Sequence, residues 1–448
     1  MYKLLLISRY LLTRRLSHLS VIVLALCVFV VTVVMTVMSG LVGDFKQLTH
    51  DWVGDCVILT ESLVGFSGFE PLLETLDRCD WIAGASPVVR NCALVNRPGQ
   101  NPTGRVIMGL DPQRHARVTS WGRSLHYHRD DPNTAFVPPT EPNVPGMVRG
   151  IDLDLDRDSQ SQYHFDAAPV WSSYIVTCFP LTPTGAPARA GSGEVASRRF
   201  HFSDLSHSGL PRDDDSVVYI DLQWAQKLCG MDVPAPRITA IHLRFKPDIG
   251  IQEGVRRVGE LVDRHRATLA GSPHESLWQE VRVLDWKKAR RDSVAVMEKE
   301  QGMMTLLFIL VGVTTSFIIL VVFYMMVMNK GRDIGILKSI GVANHEIYTL
   351  FLGFSTVLGM VASILGIVSA RFFLVYINPI EDWLYRTWHF QIWDRTLFAI
   401  GQIPHELSMA LAVPIGIGTI LVCVAGALIP TCQAARLQPV EILQVSRL

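Results

Sequence analysis

The stretch NKGRDIGILKSIGVANHEI, residues 329–347, decides how this chain is read. It is a short polar segment set between two long apolar ones. Residues 303–328 before it and 347–370 after it contain no Asp, Glu, Lys or Arg. Each run is long enough to cross a bilayer, for which about 20 apolar residues suffice. The segment is therefore expected to be a tight hairpin loop at one membrane face. It carries Lys330, Arg332 and Lys338 against Asp333 and Glu346. Short loops rich in Lys and Arg favour the cytoplasm. Its apolar residues are Ile334, Ile336, Leu337, Ile340 and Val342, and the spacing suits a short amphipathic helix with one mixed-charge face. Gly341 is placed to end that helix. Two readings stay open: an interfacial helix that only anchors a hairpin, and a docking surface for a cytoplasmic partner.

Working outward, the 448 residues carry a formal net charge of zero, and only 18% are charged, which is low for a soluble protein. A neutral balance gives no reason to expect nucleic acid as a partner. The eight cysteines include no CxxC pair and no Cys/His spacing of zinc type. Cys56, Cys79, Cys92, Cys178 and Cys229 fall in the middle of the chain. They read as buried free thiols, or as including one disulfide in an oxidising compartment.

The fold class expected is a membrane protein with four transmembrane α-helices and a large α+β extracytoplasmic domain inserted between helices 1 and 2. Residues 1–18 mix Lys3, Arg9, Arg14 and Arg15 with leucines, as a segment lying on the membrane does. Residues 19–43 form the first span. Four basic residues precede it and Asp44, Asp51, Asp55 and Glu61 follow, which puts the N-terminus in the cytoplasm. Residues 44–285 read as the α+β domain, with strands at 57–60, 106–110, 174–178, 217–220, 240–245 and 281–283, and helices at 72–78, 222–229 and 251–269. Residues 129–170 and 180–216, rich in Pro, Gly, Asp and Ser, read as loops. Residues 286–328 are expected to be one continuous stalk and second span, because 286–301 hold no Pro and no Gly.

Residues 329–346 then form the cytoplasmic loop and 347–377 the third span. Gly359, Ser363, Gly366 and Ala370 line one side of that span with small residues, which allows close helix approach. A leucine at Gly366 is expected to weaken pairing between subunits. Residues 378–406 read as an outer loop, with Trp383, Trp388 and Trp393 suited to the headgroup zone. Residues 407–432 form the fourth span and 433–448 a cytoplasmic tail, so both termini lie inside.

The search for chemistry is short. No GxxxxGK[ST] occurs, so the chain has no phosphate cradle for ATP. Asp152, Asp154, Asp156 and Asp158 alternate like a calcium loop, but Arg157 and Tyr163 stand where such a loop needs Gly and Glu. His126 and His128 near Asp130 and Asp131 suit an exposed loop better than a metal site. No Ser lies in a GxSxG context. The spans hold no central charge, which argues against an ion-coupled transporter. No catalytic, metal or cofactor residue is therefore assigned, and energy has to come from a partner.

Three places resemble one family, the MacB/FtsX-type permeases of ABC transporters, and most closely their lipoprotein-releasing LolC/LolE subgroup. Arg332-Asp333-Ile334 followed by Leu337-Lys338-Ser339-Ile340-Gly341 resembles the family's coupling segment. Ala434-Ala435-Arg436-Leu437-Gln438-Pro439-Val440-Glu441 is similar to its C-terminal ending. Val37-Met38-Ser39-Gly40-Leu41 looks like the exit of its first span. The resemblance implies that Arg332, Asp333, Ile334, Leu337, Lys338, Gly341 and Glu346 form an ATPase-coupling loop. It implies as partners a dimer of separate ABC ATPase subunits that bind the ATP, a second permease copy or paralogue, membrane lipids, and a lipoprotein or other extracytoplasmic protein. It also implies a place in the bacterial cytoplasmic membrane. Extraction of lipoproteins is the first functional expectation, and efflux or mechanotransmission to an extracytoplasmic partner is the alternative. Residues 142–162 and 180–197 depart from the family pattern.

Overall fold

The computed structural model describes residues 15–99, 101–155, 163–187, 195–329, 341–388 and 403–436. In chain order the helices are α1 (Arg15–Val53), α2 (Glu70–Asp77), α3 (Pro112–Val118), α4 (Trp121–Ser124), α5 (Pro211–Ser216), α6 (Leu222–Cys229), α7 (Ile251–Thr268), α8 (Glu275–Trp278), α9 (Trp286–Ala289), α10 (Arg291–Asn329), α11 (Asn344–Trp388) and α12 (Met409–Arg436). The strands are β1 (Cys56–Leu59), β2 (Phe66–Ser67), β3 (Ile82–Asn96), β4 (Thr103–Leu110), β5 (Gly146–Gly150), β6 (Ser173–Cys178), β7 (Ala196–Ser206), β8 (Val217–Asp221), β9 (Arg237–Ile238), β10 (Ala240–Phe245) and β11 (Arg282–Asp285). They divide into a β-rich unit, residues 44–295 with 394–401, and a helical unit of 1–43, 296–393 and 402–448.

The β-rich unit is built on one nine-stranded sheet in the order β11-β1-β10-β3-β4-β8-β5-β7-β6. The 15-residue β3 serves two assemblies. Its first half pairs with β10, Val88 opposite Ala240 and Ile82 opposite Phe245. Its last residues turn to β6, with Leu94 opposite Thr177 and Asn96 opposite Ile175. That second pairing closes β3, β4, β8, β5, β7 and β6 into a ring and leaves β10, β1 and β11 as a wing on β3. The strands alternate inward and outward residues as a pleat requires. In β6 it is Tyr174, Val176 and Cys178 that are buried. They join Ile107, Phe200, Phe202, Val218 and Ile220 in one core.

Strands expected at 57–60, 106–110, 174–178, 217–220 and 240–245 occur within a residue or a few of those limits, and α6 has the expected bounds. The stretches 129–170 and 180–216 are not only loops, because they hold β5, β7 and α5. Aliphatic and aromatic residues of β7, Phe200, Phe202 and Leu205, are buried there despite the flanking arginines.

In the helical unit, three helices are long and apolar enough to cross a membrane among the described residues: His18–Val53, Asn344–Trp388 and Met409–Cys432. The stretch expected as the second crossing, 303–328, lies in α10. Two expectations are corrected. The stalk is not one helix from Trp286, because Arg290 leaves helical geometry between α9 and α10. Residues 378–388 are not loop, because α11 runs through Pro379 to Trp388. Pro is tolerated where neighbouring structure accommodates the kink.

Candidate functional site

Within the helical unit, α11 is the hub. The small residues on one of its sides are all buried, and each glycine among them faces a neighbour. A Cβ at Gly359 would stand 2.9 Å from Cys423 Sγ and 3.2 Å from Ile420 Cα, both on α12. One at Gly366 would stand 2.6 Å from Val28 Cβ and 2.8 Å from the Ala25 carbonyl oxygen, both on α1. Ser363 Oγ lies 3.1 Å from where a Cβ on Gly416 would be. Small residues thus let three helix backbones approach, the usual device where water drives no association. Ala370 is fully buried on the same helix. Val21, Leu24, Leu350, Phe354, Leu358, Ala362, Cys423 and Ala427 fill the space between. The chain before α12 is pinned as well, with Asn378 Nδ2 donating to the Ile403 carbonyl at 3.1 Å and Asn378 Oδ1 accepting from its amide at 2.9 Å. The expectation that Gly366 serves pairing between subunits is therefore corrected: its face is taken by α1 of the same chain.

By contrast, α10 shows apolar side chains along its length. Met303, Leu306, Leu307, Ile309, Leu310, Val313, Phe317, Val321, Tyr324 and Met325 are all exposed. Among the described residues nothing lies within 4 Å of where a Cβ on Gly312 would be.

Of the expected coupling loop, Arg332, Asp333, Ile334, Leu337 and Lys338 lie outside the described residues. Gly341 adopts φ +95°, the left-handed region that suits the end of a helix. Val342 folds back onto Ile347 and Phe351. This is a hydrophobic staple across the start of α11, one residue before the cap against the first turn. Glu346 lies in that first turn, where a carboxylate complements the helix dipole.

In the β-rich unit, the last turns of α1 and the first residues of the returning segment are bound side by side. β1 leaves α1 through Gly54, and β11 leads straight into α9. The two strands pair, with Cys56 opposite Asp285. Asp55 knots this junction. Its carboxylate accepts from His50 Nε2 at 2.6 Å and from the Phe245 amide at 2.6 Å, and Arg244 Nη1 lies 3.5 Å away. Burial alone would raise its pKa, but the His50 hydrogen bond, the Phe245 amide and Arg244 together hold it below the ordinary value. Arg244 also donates to the Val118 carbonyl at 2.9 Å, and the His50 ring lies 5.0 Å from that of Trp286. Gly54 has φ +91°, and a Cβ there would meet the Leu243 carbonyl oxygen at 2.6 Å. On the returning side Asp285 caps α9 by accepting from the Lys288 amide at 2.7 Å, and Arg290 pairs with Asp213 at 3.1 Å. The sequence reading missed this knot. Its one legible sign was the Gly54-Asp55 pair just before the first expected strand.

The described residues of the acidic and histidine motifs are used structurally, and Asp156 and Asp158 lie outside the described residues. Asp204, fully buried, accepts from the amides of His126, Tyr127 and His128 and from His128 Nδ1. Asp152 accepts from Tyr163 at 2.6 Å, and Asp154 pairs with Arg149 at 2.5 Å.

Residues 305–439 match the FtsX-like permease C-terminal family. The chain is 21% identical over 366 residues to "Lipoprotein-releasing system transmembrane protein LolC" of Xylella fastidiosa strain Temecula1, covering 81% of this chain and 78% of that one. It is 21% identical over 435 residues to the LolC protein of Neisseria meningitidis, covering 94% and 92%. Among solved structures, the periplasmic region of MacB from Actinobacillus actinomycetemcomitans aligns at 11% identity with a TM-score of 0.30, over 54% of this chain and 94% of that one. That last likeness is too loose to build on.

Proposed function

We propose that the chain, which matches the FtsX-like permease C-terminal family over residues 305–439 and is similar to LolC over most of its length, is a MacB/FtsX-type ABC-transporter permease that couples ATP hydrolysis by a separate ATPase to the release of lipoproteins from the cytoplasmic membrane. The observation that carries the reading is the extent of the similarity. A match of 366 residues to LolC is far longer than the 305–439 region common to FtsX-like permeases, so it takes in much of the β-rich unit as well. Cargo is handled by that unit in this reading.

The geometry supports a mechanical role. The β-rich unit receives the end of α1 and the start of α9–α10 on two paired strands at the edge of its sheet, β1 and β11. A displacement arriving on either helix is delivered to that one edge. The Asp55 knot makes the delivery stiff, since a buried carboxylate held by several donors resists rearrangement. The long spans offer no central charges to line a water-filled path, which favours cargo with a lipid anchor over a hydrophilic solute. In this reading Arg332, Asp333, Ile334, Leu337 and Lys338 dock the ATPase, and the unit 44–295 lies outside the cytoplasm.

Depletion of the chain from cells tests this. Fractionation of acyl-labelled proteins is expected to show a severalfold rise in those retained in the cytoplasmic membrane. An unchanged distribution, with loss of resistance to an exported toxin or of an envelope enzyme's activity, would move the assignment to the efflux or mechanotransmission alternative.

A further inference from the structure

We propose that Cys178 and Cys229 are joined by a disulfide in the native protein, a bridge between the closed ring of strands and the helix packed on it. The inference rests on the reading above that places residues 44–295 outside the cytoplasm, where disulfides form and persist. Cys178 is the last residue of β6 and Cys229 the last of α6. Both side chains are 1% exposed and belong to the same core. Helix α6 packs against β6, which brings together the two ends that carry the cysteines.

The segments that follow the two cysteines run together. The Leu181 amide donates to the Cys229 carbonyl at 3.2 Å. Gly230 turns the chain in the left-handed region with φ +67°, and a Cβ there would stand 2.8 Å from Pro180 Cβ. Arg237, itself 1% exposed, clamps both segments, its Nη2 donating to the Leu181 carbonyl at 2.8 Å and to the Gly230 carbonyl. Its Nε and Nη1 have no hydrogen-bond partner among the described residues. A buried cation thus holds together the two segments that follow the cysteines.

The Cys229 thiolate attacks one sulfur of an oxidising protein disulfide, forms a mixed disulfide and expels that oxidant's other sulfur as a thiolate. Cys178, losing its proton, then attacks Cys229 Sγ and expels the second. Two electrons and two protons leave the cysteine pair, and the oxidant becomes a dithiol. Burial of both sulfurs requires this to happen before the core closes.

The test uses the full-length chain from native membranes, alkylated at lysis and digested without reductant. A peptide linking Cys178 to Cys229, lost on reduction, is expected by mass spectrometry. The melting temperature in detergent is expected to fall by roughly 5–15 °C on adding dithiothreitol, and the C178S/C229S variant should melt at that lower value with or without reductant. Both cysteines found alkylated, or a wild-type melting temperature indifferent to reductant, would overturn the proposal. Two controls say which premise failed. Oxidation of the purified chain with copper–phenanthroline reports whether the two sulfurs can bond. Labelling of exposed Cys92 by an impermeant maleimide in cells with a permeable outer membrane reports, separately, on which side the unit lies.

Discussion

The two units of this chain are held together by opposite means. In the helical unit, glycine, serine and alanine on α11 let backbones close to contact distance, and the apolar residues between them carry no charge. In the β-rich unit, a large core is laced with buried titratable groups: Asp55 against His50 and Arg244, Asp204 on a string of amides, Asp214 on Ser208, and His242 on the Val53 carbonyl. The contrast follows from the solvent. Lipid offers no hydrophobic drive between helices, so fit has to supply it. Water offers that drive in full, so polar groups can be spent on fixing geometry, at the cost that each of them titrates. One unit should therefore fail on a change of volume and the other on a change of charge.

The largest effect is expected from Gly366→Leu. Four added carbons would meet Val28 and the Ala25 carbonyl, an overpacking that costs about 1–3 kcal/mol or more and cannot relax against backbone. Thermal melting in detergent should fall by the same amount at pH 5 and pH 7. A loss that depended on pH, or weaker subunit cross-linking with unchanged melting, would break the comparison. Gly54→Ala is the counterpart in the β-rich unit. A positive φ of 91° and a Cβ 2.6 Å from the Leu243 carbonyl oxygen should together cost on the order of 1–3 kcal/mol. Limited proteolysis near residue 54 would register the loosened junction, and wild-type resistance in the variant would show that the turn is not required.

The pH prediction sharpens the contrast. Burial pushes the His242 imidazole down to about 4. Between its unfolded value near 6.5 and about 4 the unfolded chain binds a proton the folded one refuses, so this term falls as pH falls, by up to about 3 kcal/mol. His115, buried 5.7 Å from His242, acts in the same direction. Burial pushes the Asp214 carboxyl up to about 7. Its term is full below about 4, the unfolded value, and is lost as pH rises toward 7. The two oppose one another, and the wild-type profile from pH 4 to 7 should be shallow. In Asp214→Asn the falling term is gone, and stability should climb with pH across that window. A flat profile in the variant would contradict the assignment. The smallest effect is expected from Gly312→Leu on α10, where nothing stands within 4 Å: the chain's own melting should move by no more than about 0.5 kcal/mol.

How much of this was legible in the sequence varied with the signal. The apolar runs and the strands with clean alternation were legible, because burial on one face or on all sides leaves a periodic trace. The long strand β3 was not. Gly84, Pro87 and Asn91 interrupt it, and it tolerates them because it changes partners midway along its length. β7 was masked by Arg198, Arg199 and Asp204, of which only Asp204 is buried, satisfied by amides far away in sequence. The same distance hid the Asp55 knot, since Phe245 and Arg244 lie about 190 residues from it. The small side of α11 was visible as a pattern, but spacing alone does not say whether the facing helix belongs to the same chain.

The central claim is that residues 329–347 dock an ATPase. The most direct measurement is co-purification of the detergent-solubilised chain, beside its Asp333→Ala and Lys338→Ala variants, with mass spectrometry of what accompanies each. The account predicts an ABC ATPase and acylated proteins with the wild type, and at least a severalfold loss of the ATPase in the variants. Wild-type chain that brings no ATPase, or variants that bring as much of it as the wild type, would contradict it.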